Sequence, residues 1–282
     1  MSFPPRSHLA RAMPGLRRTR SLTTRAVGVS ASVSIAFLGF LTGCASADEG
    51  ADVPEKRPTM APSEMTSPTP EPTAAAEDAP TPDPRANEHL AEAILADDGE
   101  AVTAALEQGA ELERRTEEGR TPLVVATKAN AIAAATALIE AGADVNAQDD
   151  MRDSAYLYAG AEGYVEILAL TLEHGADLAS TNRYGGTALI PAGEHGHVEV
   201  TRMLLDAGID PNHVNNLGWT ALQEAVLLGT DGADHRETVR LLLAGGADPN
   251  LRDAEGNTPL ANALAQGYTG LADLILAAGG TR

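Results

Sequence analysis

Cysteine occurs once in the 282 residues, at Cys44. One thiol cannot close an intrachain bridge, so stability has to come from packing, and a lone Cys is free for another use. Basic residues are also scarce. Twenty Lys and Arg face 40 Asp and Glu, a formal net charge of −20. Affinity for a polyphosphate backbone comes from Lys and Arg displacing counterions, so nucleic acid is excluded as a partner. No Ser sits in a nucleophile elbow and no Gly-rich loop is built to cradle phosphate. Catalysis and a cofactor are therefore not expected. Metal is not expected either. Glu194-His195-Gly196-His197 places two His at i, i+2, which do not face one another on a helix. Asp253-Ala254-Glu255-Gly256-Asn257 lacks the twelve-residue spacing and closing Glu of a calcium loop. The one long apolar run, Ala26 to Leu41, is shorter than the roughly 20 residues a membrane span needs.

That run has a context. Residues 1–43 carry six Arg and no acid, and a basic segment followed by a short apolar core is the signature of an export signal. It ends in Leu41-Thr42-Gly43-Cys44, which resembles the lipobox of bacterial lipoproteins. The resemblance implies a signal peptide over 1–43, diacylglycerol on the Cys44 sulfur, and a lipid-anchored position on the extracytoplasmic side of a bacterial membrane. Arg17-Arg18 is compatible with twin-arginine export, although Thr19-Arg20-Ser21-Leu22 fits that motif loosely; the general route stays open. Without 1–43 the balance is 14 basic against 40 acidic residues, a net of −26. Such a chain is repelled by anionic lipid, so acyl chains have to supply the anchor. Two or more hold firmly where one does not.

From 44 to 84 the composition turns to Pro, Thr, Ala, Ser and Glu, with nine Pro between Ala45 and Pro84. A segment this poor in large apolar side chains cannot bury enough surface to offset its ordering entropy. It is expected to be a disordered linker, extending up to ~3.1 Å per residue where polyproline conformation holds.

The remainder, 85–282, is periodic. A Gly ends an apolar helix-like segment at Gly109, Gly142, Gly175, Gly208, Gly246 and Gly279, with spacings of 33, 33, 33, 38 and 33. A second column, Thr121, Ser154, Thr187, Thr220 and Thr258, shows the same spacings and places the same five extra residues in the fifth unit. A fixed period of this length indicates stacked supersecondary units. The hydroxyl column predicts helix N-caps. The Gly column predicts left-handed helix ends, and Pro122 and Pro259 fall at first-turn positions. Single units cannot bury their own helices. Stacking is expected to bury Leu123, Leu138, Ile139, Leu168, Leu189, Leu204, Leu205, Leu222, Leu242 and Leu243. Glu88, Glu92, Asp97, Asp98, Glu100 and Glu107 give the first unit the polar outer face that the end of such an array needs.

These residues resemble ankyrin repeats. The pattern D-x-x-G-x-T-P-L-H-x-A is matched by Asp253, Gly256, Thr258, Pro259, Leu260 and Ala263. L-L-x-x-G-A-D-x-N is matched by Leu242, Leu243, Gly246, Ala247, Asp248 and Asn250. The resemblance covers about 85–282, in units of about 85–115, 116–148, 149–181, 182–214, 215–252 and 253–282. It implies an all-α solenoid of about six helix-turn-helix units with β-turn fingers. Two departures stand out. The His after Leu is replaced by Val124, Leu157, Ile190, Gln223 and Ala261, so its hydrogen-bond network is expected to be missing. The unit at 149–181 has Arg152 in place of Gly and Tyr156 in place of Leu.

The resemblance further implies a non-catalytic module that binds a protein partner on its concave face, as a monomer. In the hydroxyl-column register that face takes the positions four, three and one before the hydroxyl, and seven and eight after it. The side chains there are Arg120 and Lys128; Met151, Asp153 and Glu162; Arg183, Tyr184, Glu194 and His195; Asn216, Leu217, Trp219 and Leu227; Asn257 and Gln266. Only 3% of the chain is aromatic, and large rings on a repeat face are favoured hot spots. Trp219 has two readings, a partner contact or packing over a neighbouring finger. An acidic face favours a basic or cation-bearing partner. The insertion around Asp231 to His235 is a secondary contact candidate. The alternatives are a hydrolase or solute-binding lipoprotein working in the groove, favoured by a formed pocket with converging acids, and a structural spacer of the cell envelope.

Overall fold

The computed structural model describes residues 84–282. The expected export signal over 1–43, Cys44 with its expected lipid, and the expected Pro/Thr-rich linker apart from its final Pro84 lie outside the described residues. Within them are twelve helices and no strand: α1 (Pro84–Leu95), α2 (Gly99–Glu107), α3 (Pro122–Lys128), α4 (Ile132–Glu140), α5 (Ala155–Glu162), α6 (Val165–Glu173), α7 (Leu189–His195), α8 (Val198–Asp206), α9 (Ala221–Leu227), α10 (Ala233–Ala244), α11 (Pro259–Gln266) and α12 (Thr269–Ala277). They form six hairpins. Odd-numbered helices pack in series, α1 on α3 through to α9 on α11, and even-numbered ones form a second series from α2 to α12. This is a two-layer ankyrin solenoid, with a turn finger before each odd helix from α3 onward.

The core runs between the layers. Leu123, Leu138, Leu168, Leu189, Leu204, Leu222 and Leu242 are fully buried, and each contributes about 1.5–3 kcal/mol relative to exposure. Leu205 and Leu243, expected to be buried, are half-buried. Each follows a fully buried Leu, and one residue turns the side chain by about 100° around a helix, which carries these two to the rim. Gly193 lets α7 and α9 approach closely, since a Cβ there would meet the Ala221 carbonyl oxygen at 2.6 Å.

Four of the five column hydroxyls cap as expected. Thr121, Ser154, Thr220 and Thr258 accept from the amides of Val124, Leu157, Gln223 and Ala261 at 3.2–3.3 Å. Thr187 does not. Helix α7 starts one residue later, with Ala188 at its cap position, and the buried Thr187 hydroxyl has no hydrogen-bond partner. In the other four units the amide four residues after the hydroxyl donates to that residue's carbonyl, as Glu224 does to Thr220 at 2.9 Å. In the fourth unit that position is Pro191, which has no N–H. The Ile190 amide takes the Thr187 carbonyl instead, at 3.2 Å. The donor that would have reached the hydroxyl is thereby used, and the cap is lost.

Three further expectations meet the structure unevenly. The network lost with the family His is rebuilt in one unit. Gln223 Nε2 donates to the Leu251 and Asn257 carbonyls, and its Oε1 accepts from Asn262. The other replacements are apolar and cannot do this. Arg152 adopts the conformation that Gly has in the other fingers, φ +60 against +72 at Gly185 and +81 at Gly218. Tyr156 is fully buried with its hydroxyl unpartnered, and burial raises its ionisation well above the ordinary tyrosine range.

The ends and the insertion complete the array. The six acids of the first unit are exposed as expected. So is Leu95, which is 77% exposed and lines an apolar cavity of about 410 Å³ beside α1 and α3. In the insertion, Asp231 forms a bidentate pair with Arg236 and accepts from the Gly270 and Leu271 amides, so it caps the start of α12. These bonds hold its carboxyl at about 2, the Arg236 contact contributing most.

Candidate functional site

The fingers are built on one residue type in one place. Five positions before each column hydroxyl stand Thr116, Asp149, Asn182, Asn215 and Asp253. Each side-chain oxygen accepts from the amides two and four residues further on. This fold-back fixes the finger and sets down the side chains at its tip, including Tyr184 and Leu217. The pattern is present in the sequence as a small oxygen-bearing residue at one register position, of which the D-x-x-G-x-T-P-L match marks only Asp253.

Between the fingers and odd helices of the third to fifth units lies a cavity of about 330 Å³. It gathers seven of the predicted face residues: Asp153, Glu162, Arg183, Tyr184, Glu194, His195 and Leu217. The lining residues that were missed include Tyr158, Asn215, Glu224 and Leu228. Leu228 replaces the predicted Leu227. Leu227 is half-buried, while Leu228 is 49% exposed and forms part of the wall. Glu224 was overlooked because a Glu on an amphipathic helix reads as a solvated side chain, whereas here it is only 6% exposed.

The other predicted residues lie elsewhere. Arg120 and Lys128 join an ion-pair group at the junction of the second and third units. Lys128 Nζ lies 2.7 Å from Asp153 and 3.6 Å from Asp149, and Arg120 lies 3.7 Å from Asp149. The ammonium of Lys128 also sits 4.0 Å from the Tyr158 ring centroid. Met151, Asn216, Asn257 and Gln266 are exposed outside the cavity. Trp219 is half-buried and does not line the cavity, and its indole N–H is sealed from solvent with no acceptor.

Within the cavity Arg183 stacks on Tyr184, 4.6 Å from its ring centroid, and lies 3.8 Å from Asp153. Glu224 Oε1 accepts from Asn215 Nδ2 at 2.8 Å. That amide is oriented, because Asn215 Oδ1 already accepts from Leu217 and Trp219. Burial, with the charge of Glu194 nearby, pushes the Glu224 carboxyl up to about 7; the Asn215 bond opposes the shift. His197 is half-buried, its ring 5.4 Å from that of His195, and burial lowers its ionisation below the usual range. Among the described residues no three His, Cys, Asp or Glu side chains converge on a point where a metal would sit.

A solenoid of finger-and-hairpin units with a lined groove across its third to fifth units defines a repeat scaffold of the protein-binding kind. The chain belongs to the ankyrin-repeat family: the model for three copies of the repeat matches residues 155–253 and 210–281, and the single-repeat model matches 118–150. Among solved structures it is similar to an ankyrin repeat domain from Acinetobacter baumannii, at 56% identity over 68% of this chain and 98% of that one, TM-score 0.66. It is also similar to the ankyrin repeat protein EF0377, at 41% identity over 67% and 97%, TM-score 0.64. The ankyrin repeat domain of Bcl-3, a member of the IkappaB protein family, shares 26% identity over 68% and 86%, TM-score 0.62. No curated protein matches the chain. Ankyrin repeats generally mediate protein–protein interaction.

Proposed function

We propose that this chain is a non-catalytic interaction module, held at the outer face of a bacterial membrane by lipid on Cys44, that presents its groove to a protein partner while itself monomeric. The observation that carries the binding half is the cavity across the third to fifth units. Tyr184, Leu217 and Leu228 are 49–53% exposed around it, and four acids stand in its wall against one Arg. Exposed rings and aliphatics anchor partners, and the acids select for basic ones. The fingers are already held by backbone bonds, so binding orders little. No Ser, Thr or Cys lines the cavity, and the hydrogen-bond partner of Glu224 is an amide, which favours holding over reacting. The lipid half rests on the Leu41-Thr42-Gly43-Cys44 pattern alone.

Two experiments test this. A photocrosslinker at Tyr184 of the full chain in the native envelope is expected to trap one defined protein, with loss of the adduct in Leu217→Ala/Leu228→Ala. Trapping that is indifferent to those changes would move the surface elsewhere. A fatty-acid analogue is expected to label the wild type and not Cys44→Ala.

A further inference from the structure

The repeat register allows the same place to be compared at successive junctions. Seven residues after the column hydroxyl, the second unit has Lys128 and the fourth has Glu194. Lys128 reaches forward into the next unit, where its ammonium meets Asp149, Asp153 and the ring face of Tyr158. That junction neutralises itself. Two units on, the residues that answer to Asp149 and Tyr158 are Asn215 and Glu224. Glu194 therefore points forward to another acid where Lys128 points to two acids and a ring.

Glu224 shows the consequence. It is more than nine-tenths buried and lines the cavity. Oε1 is held by Asn215, while Oε2 has no partner among the described residues. Nor does the Glu194 carboxylate have an ion-pair or hydrogen-bond partner there. In the sixth unit, by contrast, the buried Asp253 is matched by Asn262 at 2.8 Å. A buried carboxylate is normally paired. This one faces a space wide enough for a side chain, with Tyr184 and Leu228 beside it.

We propose that this cavity is the socket for one lysine side chain of the protein partner, its ammonium between Glu194 and Glu224 and its methylenes against Tyr184 and Leu228. The assignment rests on the interaction-module reading above and gives it a chemical class. Lys128 on Asp149, Asp153 and Tyr158 is the chain's own example of the contact. Burial and Glu194 push the Glu224 carboxyl up to about 7, so it is partly protonated near neutral pH when the cavity is empty, and the incoming ammonium displaces that proton to solvent.

The test is a titration of the full chain with blocked Gly-Lys-Gly peptide amide, and with the norleucine and arginine versions, up to about 10 mM, the range expected of a single charged contact. Amide shifts of Asn215, Leu217 and Glu224 are followed by NMR. Saturable shifts with the lysine peptide are expected, weakened about ten-fold or more for norleucine and for Glu194→Gln/Glu224→Gln, the scale of a buried charge pair. Glu194→Gln alone, at a half-exposed position, gives a partial loss in a fold left unchanged. Equal binding of norleucine, unchanged binding in the double variant, tighter binding of arginine, or no saturable shift would each overturn the assignment. Crosslinking at Tyr184 that survives Glu194→Gln/Glu224→Gln but not Leu217→Ala/Leu228→Ala would keep the interaction surface and remove only the lysine socket.

Discussion

Pro191 leaves the hydroxyl of Thr187 without a partner. The proline has no amide to give the Thr187 carbonyl, Ile190 supplies its own instead, and the buried hydroxyl goes unsatisfied. Thr187→Val is therefore expected to be neutral or stabilising by up to about 1 kcal/mol, since it removes an unpaired buried polar group. Thr220→Val breaks a working cap and is expected to cost about 1 kcal/mol. Urea unfolding of the two variants side by side checks the contrast, and an equal loss in both would refute it.

Arg152 holds the left-handed conformation that four Gly residues hold in the other fingers. A non-Gly residue there costs roughly 1–2 kcal/mol. Its guanidinium recovers some of this through a 3.3 Å bond to Thr181, so Arg152→Gly should raise the unfolding free energy by up to about 1 kcal/mol. Arg152→Ala keeps the strain and loses the bond, and should lower it.

The Glu224 carboxyl titrates at about 7 when folded, against 4.5 ordinarily. The folded state binds the proton more tightly, so stability is full below about 4.5 and is lost as pH rises through 7. The loss amounts to about 3 kcal/mol, at 1.36 kcal/mol per pH unit. Burial sets most of this value, the facing Glu194 adds to it and Asn215 opposes it, and Glu224→Gln should flatten the unfolding midpoint between those pH values. A wild type whose midpoint rises over the same range would contradict the sign.

Asp231 works in the opposite direction. Its carboxyl lies below the usual range because it is ionised in its bonds to Arg236 and to the start of α12. Its contribution is present above about 4 and fades as pH falls toward 2. Asp231→Ala should speed hydrogen exchange at the Gly270 and Leu271 amides by several-fold, with little change in α3 to α6.

A second ladder runs along the loops after the even helices. Asn146, Asn212 and Asn250 each bridge to the next unit, donating to Gly175, Gly246 and Gly279 and accepting from Asp177, Asp248 and Thr281. In this register Ala179 interrupts the series. Ala179→Asn should add a bridge to Gly208 and Asp210 and stabilise by about 0.5–1.5 kcal/mol; Asn212→Ala should cost as much. Thermal melts of both variants decide it.

Repeat number, hairpin pairing and most of the core could be read from the sequence, because the Thr and Gly columns are local signals with fixed spacing. What escaped were relations between units. Thr187 is followed by Ala and Leu just as Thr220 is, but by a proline four residues on, and the effect of that proline is visible only as a competition for one amide. Glu224 looks like a surface acid until Asn215 and Glu194 from other elements are placed around it. Leu228 was passed over for Leu227 because α9 ends between them, and helical counting fails by one residue at a helix end. The insertion read as a secondary contact candidate, and its tie to α12 through Asp231 was not legible.

The missing bridge at Ala179, the uncapped start of α7 and the strained finger at Arg152 all fall in the third and fourth units, beside the groove. In an array whose parts touch only their neighbours, heat or mechanical pull should open the chain there first. Any partner lying across those units acts as a splint over a seam, so the occupied molecule should resist unfolding more evenly from end to end than the empty one.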